Sequence, residues 1–260
     1  KRQKTFIGTG SWPLGYRGTY LWEGPWVGRH KNLAFSGRVT HQSANGYVDR
    51  SGMDLHSAVL NGIWRYGATA ATGRQGSIRF FYTDGQERTQ QAWYGIPEAK
   101  YRGDSAGVEA YIARNYLSED DARNLRTSGN RTYNAYTYPN EIDRYRQTHY
   151  QLQWNHRLNA STRVNANLFA VRGRGYFEQF KRGESYANYG LPNPVVGFDT
   201  LESTDLVRRR WLDNRLVGSN GNLITTLGEQ QLTLGYNVYS YVGNHFGTLP
   251  WMGQAAGSWA

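Results

Sequence analysis

Tyr145 to Gly175 reads YRQTHYQLQWNHRL, then NAS, then TRVNANLFAVRGRG. In the first arm Tyr150, Leu152, Trp154 and Leu158 are apolar, while Gln147, His149, Gln151, Gln153, Asn155 and Arg157 are polar. A period of two is the mark of a strand with one apolar and one polar face. The second arm keeps the phase: Val164, Ala166, Leu168 and Ala170 alternate with Arg163, Asn165 and Asn167. Asn159-Ala160-Ser161 is a short polar turn, so the stretch is a β-hairpin. Each arm is about a dozen residues long, against a mode of about five or six in globular proteins. A strand tilted across a bilayer needs about 9–11. A soluble antiparallel sheet also alternates, so the rest of the chain has to decide.

Outward from the hairpin the pattern repeats. Leu33 to Gln42 carries Leu33, Phe35 and Val39 in phase; Leu55 to Ala68 carries Ala58, Leu60, Trp64, Tyr66 and Ala68; Ser77 to Gln86 carries Ile78, Phe80 and Tyr82. Downstream, Arg209 to Leu227 holds a strand of poor phase, and Gln231 to Val242 alternates through Leu232, Leu234, Tyr236 and Val238. Beyond Gly243 one more loop or strand is expected. Residues 1–31 are dense in Gly and Trp and interrupted by Pro13 and Pro25; at most one irregular strand fits, near Thr19 to Val27.

The connections then separate two architectures. Those at 71–76, 159–161 and 228–230 are short, and those at 87–144 and 176–207 are long. They alternate along the chain, as in a meandering membrane barrel with short turns at one rim and long loops at the other. A soluble sandwich gives no reason for that alternation. A connection as long as 87–144 is functional or disordered more often than not. Within it Val108 to Asn115 and Ser118 to Leu125 read as short helices, the second capped by Ser118 with acids in its first turn. The reading is all-β: a segment of an antiparallel, meandering transmembrane β-barrel with about seven to nine strands and short helices in a long extracellular loop.

Composition agrees. Hydrophobic residues make up 38% of the chain and mean hydropathy is −0.73, too low for a helical membrane protein. A barrel tolerates this because half of each strand faces a polar lumen. The 20 Tyr and 9 Trp suit a membrane–water boundary, and equally a glycan-binding surface. With no cysteine there is no disulfide framework, zinc-thiolate site or cysteine nucleophile. The net charge of +10 suits anionic ligands or lipid headgroups; scattered arginines and the lack of a basic helix argue against nucleic acid. KRQKTFIGTG at the start has no apolar signal core, and since a barrel must be exported, the chain is expected to begin inside a longer protein.

Several motifs carry a resemblance. They are GYVDRS (Gly46 to Ser51), QAWYGIPE (Gln91 to Glu98), RGRGYFEQFK (Arg172 to Lys181), YGLP (Tyr189 to Pro192), DLVRRRWLDN (Asp205 to Asn214) and GNHFG (Gly243 to Gly247). In this order and spacing, over about residues 33–250, the chain resembles TonB-dependent outer-membrane receptors, especially the iron-siderophore type of Bacteroidetes. GNHFG departs from the family's pattern, with Asn244 where Asp is expected. The resemblance implies a roughly 22-stranded barrel closed by an N-terminal plug domain. It also implies uptake of a scarce ligand, often a ferric chelate, driven by a TonB complex. By that reading residues 1–31 are a poorly readable N-terminal barrel segment and 32–260 a partial barrel, without the plug, the TonB box and the remaining strands. The expected setting is the cell outer membrane, with its lipid and lipopolysaccharide as neighbours.

The expected ligand-binding residues lie near the long-loop rim. Trp93, Tyr94 and Glu98 come from the first long connection, and Arg174, Tyr176 and Phe177 from the second. Aromatic faces pack against a planar, catechol-like chelate and an arginine offsets its negative charge. The alternative for QAWYGIPE is a loop-folding motif, with Gly95 and Pro97 setting a turn and Trp93 packing. Arg172, Arg174, Arg208, Arg209 and Arg210 draw in an anion or lipopolysaccharide phosphate, or else pair with Glu178, Glu184 and Asp213. The six histidines show no metal-ligand spacing, and no metal or cofactor is expected. No nucleophile or catalytic dyad stands out, so an enzyme is not expected. The competing function is a soluble or surface glycan-binding β module.

Overall fold

The structure is a computed structural model that describes residues 3–11, 15–67 and 75–255. Its strands in chain order are β1 (Gln3–Ser11), β2 (Gly15–Glu23), β3 (Leu33–Ala44), β4 (Met53–Tyr66), β5 (Gln75–Gln90), β6 (Ile142–Arg157), β7 (Thr162–Ser185), β8 (Val195–Val196), β9 (Asp199–Thr200), β10 (Ser203–Leu227) and β11 (Gln230–Met252). Nine of them form one sheet in the order β1-β2-β3-β4-β5-β6-β7-β10-β11, each antiparallel to the next; β8 and β9 make a separate two-stranded ribbon. This is the meander that the alternating connections imply.

Register explains why the period-two pattern matters. Leu152 of β6 lies opposite Phe80 on one side and Leu168 on the other. Leu168 in turn faces Ser219, which faces Val238. Side chains in that phase share one face of the sheet. Leu168 is 55% exposed, Val217 60% and Val238 60%, and Leu60, Trp64, Phe80 and Leu152 are exposed beside them. A soluble monomer seldom leaves so continuous an apolar surface in water. The opposite face is polar: Asn165 pairs with Asn222 and Asn167 with Asn220, and the Asn165 Nδ2 donates to Asn222 Oδ1 at 2.7 Å.

Four expectations need correction. The N-terminal region holds two regular strands, β1 and β2, in place of one irregular strand at Thr19 to Val27. Glycines at 8, 10, 15 and 18 dilute the alternation there, and the strand ends at Glu23, ahead of Pro25. RGRGYFEQFK is strand, not loop. β7 and β10 pair well past the apolar zone, with Tyr176 opposite Trp211 and Phe177 opposite Arg210, so the second long connection shrinks from 176–207 to 186–202. The first shrinks likewise from 87–144 to 91–141. Beyond Gly243 the same strand, β11, continues to Met252. In these extensions the backbone ladder persists, but charged residues and glycines interrupt the apolar–polar alternation, which blurs the hydrophobic signal. The turn expected at 71–76 falls mostly on residues outside those described, as do Ala68, Pro13 and Arg74.

The 91–141 connection is folded. It carries α1 (Glu98–Arg102), α2 (Ser105–Arg114) and α3 (Glu119–Thr127). Ser118 caps α3 as expected, its Oγ accepting from Asp121 N at 3.2 Å. Val108, Leu125 and Tyr133 form a small buried core, packed by Ile96, Ala99, Tyr111, Ile112, Leu117 and Ala135. Among the described residues no helix is long and apolar enough to cross a membrane.

Candidate functional site

The 91–141 connection is tied to the sheet by buried polar groups. Gln91, 1% exposed, donates from Nε2 to the carbonyls of Ile142 (3.3 Å) and Glu178 (3.4 Å). Asn134, 2% exposed, donates to the carbonyls of Asp49 (2.8 Å), Arg50 (3.3 Å) and Gln91 (3.0 Å). Arg50 answers with bonds to the carbonyls of Tyr136 (2.8 Å) and Asn134 (2.9 Å). Arg50 itself has φ +53 and Gly46 has φ +78. A Cβ at Gly46 would run into Ser51, so the GYVDRS turn needs glycine there. The motif is thus a buttress for the long loop.

QAWYGIPE divides between folding and surface. Gln91 is the anchor just described, Gly95 turns the chain at φ +81, Ile96 joins the loop core, and Pro97 precedes α1. Glu98 forms an exposed i,i+4 pair with Arg102 at 2.7 Å. Tyr94 is exposed but reaches α2: burial first, then a hydrogen bond with Tyr94, raises the pKa of the Tyr111 hydroxyl. Trp93 remains 60% exposed, edge-on to Tyr136 (6.3 Å between centroids) and to Phe177 (6.4 Å).

The expected second half of the site is split by the strand. Because RGRGYFEQFK is extended, Arg174 and Tyr176 share the face that carries Leu168, and Phe177 points to the other. On the Leu168 face Tyr176 packs on Trp211 (4.6 Å), and Arg172 and Arg174 reach Asp213 at 3.4 and 3.6 Å. Arg209 pairs with Glu178 at 2.6 Å and covers the Tyr176 ring. The single pocket of Trp93, Tyr94, Arg174, Tyr176 and Phe177 does not form.

A different set gathers around Phe177. A cavity of about 1070 Å3 opens at the same rim, lined by Phe177, Tyr189, Arg208, Arg210, Leu212 and His245. Arg210 is exposed and holds its guanidinium 5.5 Å from the Phe177 ring centroid. Among the described residues it has no carboxylate within ion-pair distance. Arg208 donates to Gln179 Oε1 (2.9 Å) and to the Tyr189 hydroxyl (3.3 Å), whose pKa burial raises. Beside the site Glu141 is 6% exposed and accepts from Phe180 N at 3.2 Å; burial pushes its carboxyl up to about 7. The chemistry expected of the site, aromatic rings with an uncompensated arginine, is therefore present with Arg210 in place of Arg174. Period two inside Arg208-Arg209-Arg210 is the signal that separates the inward pair from the paired Arg209.

One cluster escaped the sequence reading altogether. His41, Asp54 and His56 bring three ligand-type atoms within 4.8 Å of one another. They come from two adjacent strands, so no local spacing announces them.

No protein-family model matches the chain, and no curated protein matches it. Solved structures do. The closed form of the ferric-catecholate import receptor Fiu from E. coli K12 aligns over 93% of this chain and 31% of its own, with 13% identity and a TM-score of 0.54. The open form aligns over 92% and 33%, with 15% identity and a TM-score of 0.54. The chain thus spans about a third of these receptors' length, and the likeness is one of fold. The fold is a contiguous run of antiparallel β-barrel wall of the kind found in these import receptors.

Proposed function

We propose that this chain forms part of the barrel wall of a TonB-dependent outer-membrane receptor that takes up a ferric siderophore or similar iron chelate. The observation that carries the reading is the cavity lined by Phe177 and Arg210 on the polar face, with Trp93 edge-on to the Phe177 ring from the 91–141 connection, at the rim where the long connections leave the sheet. Aromatic surface with an unpaired cation suits a planar, anionic chelate. The solved receptors of like fold are named for ferric-catecholate import. The exposed apolar face supports a lipid setting over a soluble glycan-binding module. The face also carries Arg172 and Arg174 above its apolar zone, where lipopolysaccharide phosphates lie. In this reading contact with TonB is made by the plug and TonB box that the sequence resemblance implies for the full receptor.

The test is uptake of radiolabelled ferric catecholate by iron-starved cells that carry the full-length receptor as their sole catecholate route. Uptake that needs both the receptor and TonB is expected. Uptake unchanged when the receptor gene is removed overturns the proposal, and binding without TonB dependence overturns its energetic part.

A further inference from the structure

We propose that His41, Asp54 and His56 form a divalent-metal site of the zinc class on the outward, apolar-phase face of the sheet. His41 and His56 are direct cross-strand partners on β3 and β4, and Asp54 lies two residues before His56 on the same face. Their rings stack at 4.1 Å between centroids and 11° between planes, which sets the two Nε2 atoms side by side. Both address one carboxylate: His41 Nε2 is 2.9 Å from Asp54 Oδ2, and His56 Nε2 is 2.7 Å from Asp54 Oδ1. Zinc holds imidazole nitrogen and carboxylate oxygen at about 2.0–2.2 Å, so its ligand atoms stand roughly 3 Å apart. The two nitrogen–oxygen pairs are already at about that separation and no pair of the three ligand atoms is more than 4.8 Å apart, so small side-chain rotations admit an ion in place of the hydrogen-bonded protons.

The surroundings fit that occupant. Two imidazoles and a carboxylate are a donor set for zinc or copper rather than for calcium or magnesium. The ligands sit on two strands whose backbone ladder fixes their spacing, so little ordering remains for the ion to impose. The Tyr16 hydroxyl lies 3.2 Å from His41 Nδ1, where it can accept that N–H and leave Nε2 free to ligate. A cavity of about 600 Å3 opens over the cluster, lined also by Asp84 and Gln86, and leaves room for water or an anionic oxygen at the remaining coordination positions. The side chains are 37%, 41% and 55% exposed for His41, Asp54 and His56, so an ion reaches them without unfolding the strand pair.

The experiment uses the full-length receptor, purified in detergent with any affinity tag removed, and titrates it with Zn2+ by calorimetry near neutral pH. We expect one saturable site that His56→Gln and Asp54→Asn weaken by about tenfold or more, with Tyr16→Phe weakening it less. His149→Gln, a histidine outside the cluster, leaves binding unchanged. With Cu2+ as the probe, paramagnetic resonance should show nitrogen ligation that the His56 variant reduces. Heat-modifiable migration on a gel confirms that each variant is folded. Where a variant fails to fold, protection of His41 and His56 in the native receptor from diethyl pyrocarbonate by Zn2+ decides the matter. Equal zinc binding by the native protein, His56→Gln and Asp54→Asn, or no protection, overturns the proposal. Since the readout is metal binding, it stands or falls independently of iron-chelate uptake.

Discussion

Arg210 holds its guanidinium 5.5 Å from the ring centroid of Phe177, its direct cross-strand partner. The two residues share the polar face, and Trp93 closes on the same ring from the loop side. Arg210→Ala or Phe177→Ala, in the full-length receptor, should weaken ferric-catecholate binding without lowering surface abundance. A hydrogen bond to a charged group contributes roughly 1.5–3 kcal/mol, so the arginine variant should raise Kd by about tenfold to a hundredfold. Arg174→Ala is the contrast: on the opposite face and engaged with Asp213, it should leave Kd unchanged. If Arg174 matters and Arg210 does not, the ligand does not enter this cavity.

The apolar phase makes a second expectation. Leu168 lies on the exposed apolar face and Asn167 on the polar one. An arginine on the lipid face near the midplane costs roughly 2–4 kcal/mol. Leu168→Arg should therefore reduce the heat-modifiable, assembled receptor in outer membranes, while Asn167→Arg assembles normally. Equal assembly of both removes the lipid assignment.

Asn134 supports a third. Its amide donates to three carbonyls and its Oδ1 accepts from Tyr136 N at 3.0 Å. Asn134→Ala strands those buried groups, at a cost of about 1–3 kcal/mol. Limited proteolysis of intact cells should then cut within 91–141 faster than in the native receptor, with the barrel unaffected. An unchanged cleavage rate would mean that Arg50 and Gln91 hold the loop by themselves.

Glu141 supplies a pH dependence. Its ordinary pKa of 4.5 is raised to about 7, chiefly by burial. Between those values the folded chain keeps a proton that the unfolded chain has released. This group's contribution to stability therefore falls as pH rises through that window and levels off above about pH 7. Glu141→Gln keeps an acceptor for Phe180 N and removes the titration. Thermal unfolding from pH 4.5 to 8 should show a downward slope in the native receptor that flattens in the variant; identical slopes would count against it.

What the sequence made legible follows the hydrophobic signal. β3, β4, β5, β6 and the lower part of β7 alternate because one face is apolar, and their phases can be read by eye. The signal fades where the same strands rise past that zone, at Arg172 to Ser185 and Ser203 to Arg210, although the ladder continues. Taking Tyr176 and Phe177 for loop residues placed them in one pocket, whereas a strand sends neighbours to opposite sides. The helices α2 and α3 were legible from the Ser118 cap and an apolar patch. The inward direction of Arg210 follows from period two once Ser203 to Arg210 is known to be strand, whereas the His41–Asp54–His56 cluster depends on cross-strand register, which composition and spacing do not encode.

The miniature core of Val108, Leu125 and Tyr133 has a kinetic consequence. A connection that is packed and pinned before any ligand arrives presents Trp93 on a standing wall, so little chain ordering is left for the moment of capture. Association with the chelate should then run as one encounter step, its observed rate linear in ligand concentration, with no plateau from a slow closing of the 91–141 segment.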